Sequence, residues 1–480
     1  MSDSFLFYDL ETFGQDPRRT RIAQFAAIRT DADLQQVEEP VSFFVQPARD
    51  LLPAPGATLV TGITPQQALR EGLPEAEAFA RIQEEMARPG TCSVGYNSLR
   101  FDDEFVRFGL YRNFHDPYER EWRGGNSRWD LLDVLRFAHA LRPDGIAWRA
   151  REDGGGTSFR LEHLAADNDV REGAAHEALS DVRALIGIAR RLRTAQPRLW
   201  DYALRLRDKR FAGSLLDVAG VRPLLHVSQR FPAAQLCAAA VAPLAWHPAI
   251  DNRVIVFDLA GDVDALLALD ADAIAARVFT AQAALPEGVA RLPLKEVHLN
   301  RCPALFEWRH LRDADFVRLG IDPGQVEYAA MRLHSAGPAL VEKLRQVYAR
   351  PPARDPVDVD GALYDGFIGD GDRRLFAQVR ATPPSLLGRS DFPFRDPRLP
   401  ELLFRYRARN WPQHLSFPEH ERWNAYRRQR LRQPGLAEQT LAQFDEEIAA
   451  LRGQHAGSDD VLRLLDALQA WRDEVVGEIE

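Results

Sequence analysis

The sequence predicts an α/β protein in three parts: a mixed-sheet domain, a β-rich domain with inserted helices, and a helical C-terminal region. Three observations carry this. Strand-like and helix-like stretches alternate over residues 1–195, which points to strands and helices layered together. Short apolar strands dominate residues 196–349, and amphipathic helical spacing dominates residues 355–480.

In the first part "SFLFYDLET" (4–12), "RIAQFAAIRTD" (21–31) and "VSFFVQP" (41–47) read as strands, the last two joined by a polar turn. "EAEAFARIQEEMA" (75–87) has helical spacing and "TCSVGYN" (91–97) returns to strand. "WDLLDVLRFAHALR" (129–142) and "HEALSDVRALIGIARRLR" (176–193) place apolar residues at i, i+3, i+4 and i+7. In the second part "PLLHVSQRF", "CAAAVAPLAW", "RVIVFDLAG" and "EVHLNRCPALF" suit a small barrel or sandwich. "ARPPARDPVDVDG" (349–361) reads as a linker. Beyond it "LAEQTLAQFDEEIAAL" and "SDDVLRLLDALQAWRDEVV" predict two amphipathic helices, the second with Ser458 at its N-cap.

A chain of 480 residues, 45% hydrophobic and 27% charged, has the composition of a soluble globular protein of several domains. No apolar run approaches the ~20 residues that span a bilayer, and no signal peptide is visible before the first strand. Cys92, Cys237 and Cys302 form no CxxC pair, which argues for a reducing, cytoplasmic setting and against a structural zinc site. The net charge of −9 opposes indiscriminate polyanion binding but leaves room for local basic grooves.

Inside the first strand Asp9 and Glu11 interrupt an apolar run. Alternation puts both on one face, about 6.6 Å apart along the strand. A buried, unpaired carboxylate costs several kcal/mol or is forced neutral, so a cation is expected between them, unless the pair marks a solvent-facing edge. "GYNSLRFDDEF" adds Asp102 where a strand ends and a helix begins, with Phe105 turned inward. Asp102 is either a helix N-cap or a metal ligand; Asp103 and Glu104 are expected to face solvent. "HEALSD" supplies Asp181 on an amphipathic helix and His176, whose imidazole titrates near neutrality as a general base for water requires. Four carboxylates with no soft ligand nearby suit Mg²⁺ or Mn²⁺. Two such ions activate water and stabilise a leaving oxygen at a phosphodiester.

These motifs resemble the DEDDh branch of the DnaQ-like 3′→5′ exonucleases. Asp9 and Glu11 fall on its first motif, Asp102 on its second, and His176 with Asp181 on its third. "LVTGITPQQAL", Asp133 in "WDLLDVLRFAHALRP", and "SFRLEHLA" match intervening segments of that family. "VAPLAWHP", "NRVIVFDLAGD", "LYDGF" and "LLFRYRARNWP" are similar, in the same order, to the exodeoxyribonuclease I family. One departure is Leu10, where many members carry tyrosine between the two acids.

The resemblance implies an RNase H-like exonuclease domain (1–195), an SH3-like β-barrel domain (196–349) and a helical domain (355–480). It implies processive, Mg²⁺-dependent removal of 5′-mononucleotides from the 3′ end of single-stranded DNA, in repair and recombination. Asp9 would bridge two ions, Glu11 and Asp181 would hold the nucleophile-side ion, and Asp102 would support the second. His176 would deprotonate water. Glu11, Thr12 and the Thr61, Gly62, Ile63 turn would receive the terminal nucleotide. The family also binds the acidic tail of single-stranded-DNA-binding protein, for which Arg142 and Tyr202 occupy matching positions. The expected form is a monomer.

Residues 404–432 interleave Arg405, Arg407 and Arg409 and further arginines with Phe404, Tyr406, Trp411, Trp423 and Tyr426. This suits a groove in which arginine meets phosphates and aromatic rings stack on bases, or equally an aromatic core with a solvated arginine face. "NSRWD" (126–130), with Arg128, is a second candidate for backbone contact. Competing readings are an exonuclease acting mainly on RNA or short oligonucleotides, and a nucleic-acid-binding scaffold with a dead nuclease domain.

Overall fold

The computed structural model describes residues 4–171, 173, 177–349 and 358–480. The chain divides into two compact units: one contains residues 4–127, the described part of 172–186, and 358–480; the other contains 128–171 and 187–349.

The first unit opens with β1 (Ser4–Thr12), β2 (Ile22–Thr30), β3 (Val41–Phe44), α1 (Pro55–Thr61), α2 (Pro65–Glu71), α3 (Glu75–Met86), β4 (Thr91–Gly95) and α4 (Asp102–Arg112). Within this unit the strand order is β3-β2-β1-β4, with β1 antiparallel to β2 and parallel to β4, so the sheet is mixed as expected. The central place of β1 explains its nearly unbroken apolar sequence, since both of its faces are covered. Phe7 is fully buried and Leu6 and Tyr8 nearly so. Against this core lie Phe79 and Ile82 of α3 and Phe105 and Val106 of α4, each apolar side chain contributing about 1.5–3 kcal/mol on burial.

β5 (Ser127–Asp130) begins at the division between the units, and α5 (Leu131–Leu141), α6 (Leu161–Asp167) and α7 (Ala178–Ala195) follow. Asp130 caps α5 by accepting from the Leu132 amide at 3.1 Å. The second unit continues with α8 (Pro197–Arg205), α9 (Lys209–Ser214), β6 (Leu224–Val227), β7 (Ala238–Trp246), β8 (Arg253–Asp258), α10 (Val263–Ala268), α11 (Ala271–Phe279), β9 (Leu294–His298), β10 (Ala304–Glu307), α12 (Asp313–Leu319), α13 (Pro323–Ser335) and α14 (Gly337–Tyr348). Its five strands are all antiparallel in the order β10-β6-β7-β8-β9. Leu244, Ile255 and Phe257 pack there against Leu266, Ile274, Leu333 and Leu344 of the inserted helices.

The C-terminal region is helical: α15 (Asp370–Ala381), α16 (Pro384–Leu387), α17 (Leu399–Asn410), α18 (Phe417–Arg432), α19 (Leu441–Gln454) and α20 (Asp459–Gly477). Ser458 does stand at the N-cap of α20, though without a side-chain cap bond. This region shares its cores with the N-terminal sheet domain. Phe108, Tyr111 and Phe114 at and beyond α4 pack with Phe376, Leu399, Leu402 and Tyr406. Leu52 packs with Leu431, Phe444, Leu465, Leu468 and Trp471.

Two expectations are corrected here. The end of the proline- and aspartate-rich stretch is not linker: Asp360, Gly361, Ala362 and Leu363 are buried in a short 3-10 turn. Asp103 does not face solvent. It is 1% exposed and accepts from the Tyr8 hydroxyl at 3.0 Å and from Arg120 at 2.6 Å. Glu104 accepts from Arg107 at 2.8 Å and from the Tyr364 hydroxyl. Both acids face the protein because α4 is covered on two sides, by the sheet and by the C-terminal region.

Candidate metal centre and nuclease site

β1 carries Asp9 and Glu11 on one face, and its pairing with β2 shifts register between Glu11 and Thr12. A bulge of this kind re-aims side chains at a strand end. α4 begins at Asp102, with Phe101 rather than Asp102 as its N-cap residue. Asp102 is 4% exposed, held at the head of a helix that Asp103 ties to Tyr8 of β1. Asp181 lies in the first turn of α7.

Carboxylate oxygens of Asp9, Glu11 and Asp181 all lie within 4.8 Å of one another. Burial raises Asp9 well above the usual carboxylate range, and the charges of Asp102, Glu11 and Asp181 raise it further. Burial first, then Asp181 and Asp102, pushes Glu11 up to about 8. Asp9, Glu11 and Asp181 therefore converge, with Asp102 near enough for its charge to raise Asp9 and Glu11. The donor set is oxygen only, the chemistry that hard divalent cations prefer, so these residues fit a divalent metal. His176 lies outside the described residues.

Thr12 is buried, and its hydroxyl donates to the Gly14 carbonyl at 2.6 Å. α1 ends at Thr61, and Gly62 takes the left-handed conformation with φ 70° that closes the helix. The Ile63 amide donates to the Thr61 hydroxyl at 3.2 Å, and Thr64 caps α2. Ile63 packs with Phe13, the residue after Thr12, so the turn and the end of β1 share one apolar cluster.

Arg405, Arg407 and Arg409 do not line an open groove. Their side chains are 7%, 9% and 4% exposed. Arg405 pairs with Glu401 and Asp358, Arg407 with Glu419 at 2.7 Å, and Arg409 with Asp50 at 2.7 Å and with Asp360. Arg405 and Arg409 belong to an interior ion network because the C-terminal region needs counter-charges for Asp50 and Asp360, both buried beneath it. Arg128 is likewise 7% exposed, with its guanidinium donating to the Asn300 carbonyl at 3.2 Å rather than standing on an open surface. Arg142 pairs with Asp315 at 2.8 Å and keeps 25% of its side chain in solvent. The Tyr202 hydroxyl donates to the Leu305 carbonyl at 3.0 Å.

Sequence reasoning missed Asp103, Arg120, Asp50 and Asp360. The only available signal was position: Asp103 follows Asp102 directly, and Tyr8 precedes Asp9, so the anchoring pair runs alongside the site pair.

A mixed sheet presenting a carboxylate cluster at the end of its central strand, joined by acids from two helix starts, defines a metal-dependent nuclease. Family models agree: "Exonuclease" matches residues 6–189, "Exonuclease I SH3-like domain" 207–350 and "Exonuclease I C-terminal domain" 357–475. The exodeoxyribonuclease I of Escherichia coli (strain K12) is 44% identical over 474 residues, 98% of each chain. The crystal structure of E. coli exonuclease I in complex with a dA16 oligonucleotide superimposes with a TM-score of 0.94 at 44% identity, covering 98% of this chain and 100% of that one. The zinc ion-bound form of the E. coli enzyme–ssDNA complex gives 0.93 at 44% identity, covering 99% and 100%. The chain belongs to the exodeoxyribonuclease I family, and it is an exonuclease, a hydrolase of phosphodiester bonds. None of its described helices is long and apolar enough to cross a membrane.

Proposed function

We propose that this enzyme degrades single-stranded DNA processively from the 3′ end, releasing 5′-mononucleotides, with two Mg²⁺ ions per site and Mn²⁺ able to substitute. The observation that carries the reading is the oxygen-only cluster in which Asp9, Glu11 and Asp181 come within 4.8 Å of one another beside Asp102. The relatives solved with a dA16 oligonucleotide and with ssDNA support the substrate class.

A divalent ion bound there supplies a Lewis acid that activates water and stabilises the leaving oxygen. Asp9, Glu11, Asp102 and Asp181 are the residues that would hold the ions. His176 accepts the proton of the attacking water, the role that a group titrating near neutrality serves best. Thr12 and the Thr61, Gly62, Ile63 turn receive the terminal nucleotide. They sit on β1 and at a helix junction, so their geometry is set by regular structure rather than by a free loop. Segments 1–195, 196–349 and 355–480 act as nuclease, SH3-like and helical domains. Arg142, with part of its side chain in solvent, and Tyr202 take the acidic tail of single-stranded-DNA-binding protein. The working form is a cytoplasmic monomer serving repair and recombination.

The test is digestion of 5′-labelled single-stranded DNA, duplex DNA and single-stranded RNA, with and without Mg²⁺. The expected result is a ladder shortening from the 3′ end on single-stranded DNA alone and none in chelator. Faster digestion of RNA than of DNA would overturn the substrate assignment. Undiminished cleavage in chelator would overturn the metal role.

A further inference from the structure

Gly14, three residues after Glu11, packs directly against an acid from the far end of the chain. A Cβ at this position would lie 2.1 Å from Glu438 Oε2 and 2.8 Å from its Cδ. Glu438 precedes α19, and its carboxylate spreads over the loop that leaves β1. Both oxygens accept from the Gln15 amide at 2.9 Å, and Oε2 also accepts from the Asp16 amide at 3.3 Å. The same loop is tied at Phe13, whose carbonyl accepts from the Ala54 amide at 2.7 Å.

A second acid from the C-terminal region treats the other half of the expected nucleotide pocket in the same way. Glu447 of α19 accepts from the Gly56 amide in the first turn of α1 at 3.0 Å. The Gln66 side chain of α2 donates to the Ala467 carbonyl of α20 at 2.6 Å, and Leu59 and Leu69 pack on the α19–α20 core. The segments bearing Thr12 and Thr61–Thr64 are thus both clamped from the C-terminal region.

We propose that Glu438 and Glu447 are positioning residues for the 3′-terminal nucleotide: through backbone amides they hold the Gly14–Asp16 loop and α1, and so fix Thr12 and the Gly62 turn. This rests on the reading of Thr12 and Thr61–Ile63 as the nucleotide pocket. Charge-assisted bonds to backbone amides are short and directional. A misplacement of about 1 Å far from the chemistry can cost ~100-fold in rate, so the C-terminal region contributes to the reaction without touching substrate.

The experiment is single-turnover removal of the first 3′ nucleotide from a 5′-labelled single-stranded oligonucleotide, over a range of enzyme concentrations, alongside thermal melting. Glu438→Ala is expected to raise the half-saturating concentration about 10-fold and slow the maximal rate by a similar factor, within the ~10–100-fold range of lost supporting contacts. Glu438→Gln keeps an acceptor oxygen and is expected within about 3-fold of the parent. Should Glu438→Ala not fold, Gly14→Ala intrudes on the same contact and is expected to reproduce its kinetic shift. Parent-like kinetics in Glu438→Ala, or equal damage in Glu438→Gln, would overturn the proposal. Ile63→Asp in parallel separates the failures: parent-like Glu438→Ala beside a raised half-saturating concentration in Ile63→Asp sinks the positioning role alone, whereas parent-like Ile63→Asp sinks the pocket reading beneath it.

Discussion

Asp9→Asn is expected to lower single-strand digestion by about 10³-fold or more, beyond the ~10–100-fold that loss of an outer partner of a metal ligand costs, while the metal-free variant melts above the parent. Both effects have one cause. In the metal-free protein Asp9 and Glu11 are crowded by burial and by neighbouring carboxylates, which raise their proton affinity. Removing one charge relieves that repulsion by about 1–3 kcal/mol and removes a metal donor in the same step.

The pH dependence follows with a definite sign. Glu11 titrates at about 8 in the folded chain against an ordinary value of 4.5. Between these values Glu11 binds more protons in the folded state than in the unfolded state, so its contribution to metal-free stability falls as pH rises through this interval. A divalent cation should cancel the loss. The gain in melting temperature on adding Mg²⁺ should therefore grow from pH 5 to pH 8 in the parent and grow much less in Asp9→Asn. An equal gain at both pH values in the parent would contradict the electrostatic account.

Asp360→Ala is expected to destabilise the protein by about 3–5 kcal/mol, the cost of leaving buried charges without their partner. Asp360 is 1% exposed and accepts from Arg430 at 2.6 Å and from Arg409, and Arg21 lies 3.5 Å away. Asp50 serves the same arginines from the N-terminal region, at 2.7 Å to Arg409 and 2.6 Å to Arg430. The network thus fastens the C-terminal helices to the sheet domain, and either aspartate alone cannot neutralise it. A variant with Asp360→Leu and Arg409→Met together should recover part of the loss, because a buried pair replaced as a unit is tolerated better than one broken in half. Chemical denaturation measures both, and a parent-like midpoint for Asp360→Ala would refute the role.

The two clusters should separate by pH. The arginines hold Asp50 and Asp360 well below the usual carboxylate range despite their burial. Their stabilisation is present above the unfolded value and is lost only as pH falls below it, so it is constant from pH 5 to 9. The part of any slope in that interval that Asp9→Asn removes reports the metal site instead.

Much of the site was legible because it is built from short motifs on regular elements. Alternation along β1 put Asp9 and Glu11 on one face, and the helical period of 182–189 put Asp181 at a helix start. The mixed sheet, the β-rich domain and the helical C-terminal region were legible from apolar periodicity for the same reason. Arg405, Arg407 and Arg409 were misread because composition reports that arginines and aromatics alternate, not which way they point. Of their acidic partners, Asp50 lies 359 residues from Arg409 and Asp360 lies 49 away, and neither carries a local signal.

What the sequence determined by itself was therefore the main strands and several of the helices, with the acids at their ends, since these follow from contacts between near neighbours along the chain. What only the tertiary structure decided was the fate of charge. Asp9, Glu11 and Asp181 were brought together beside Asp102 at the end of β1, and Asp50, Asp103 and Asp360 were each matched to arginine. Coulomb energies depend on distance and burial in space, and for pairs far apart in the chain neither is encoded in any single stretch of it.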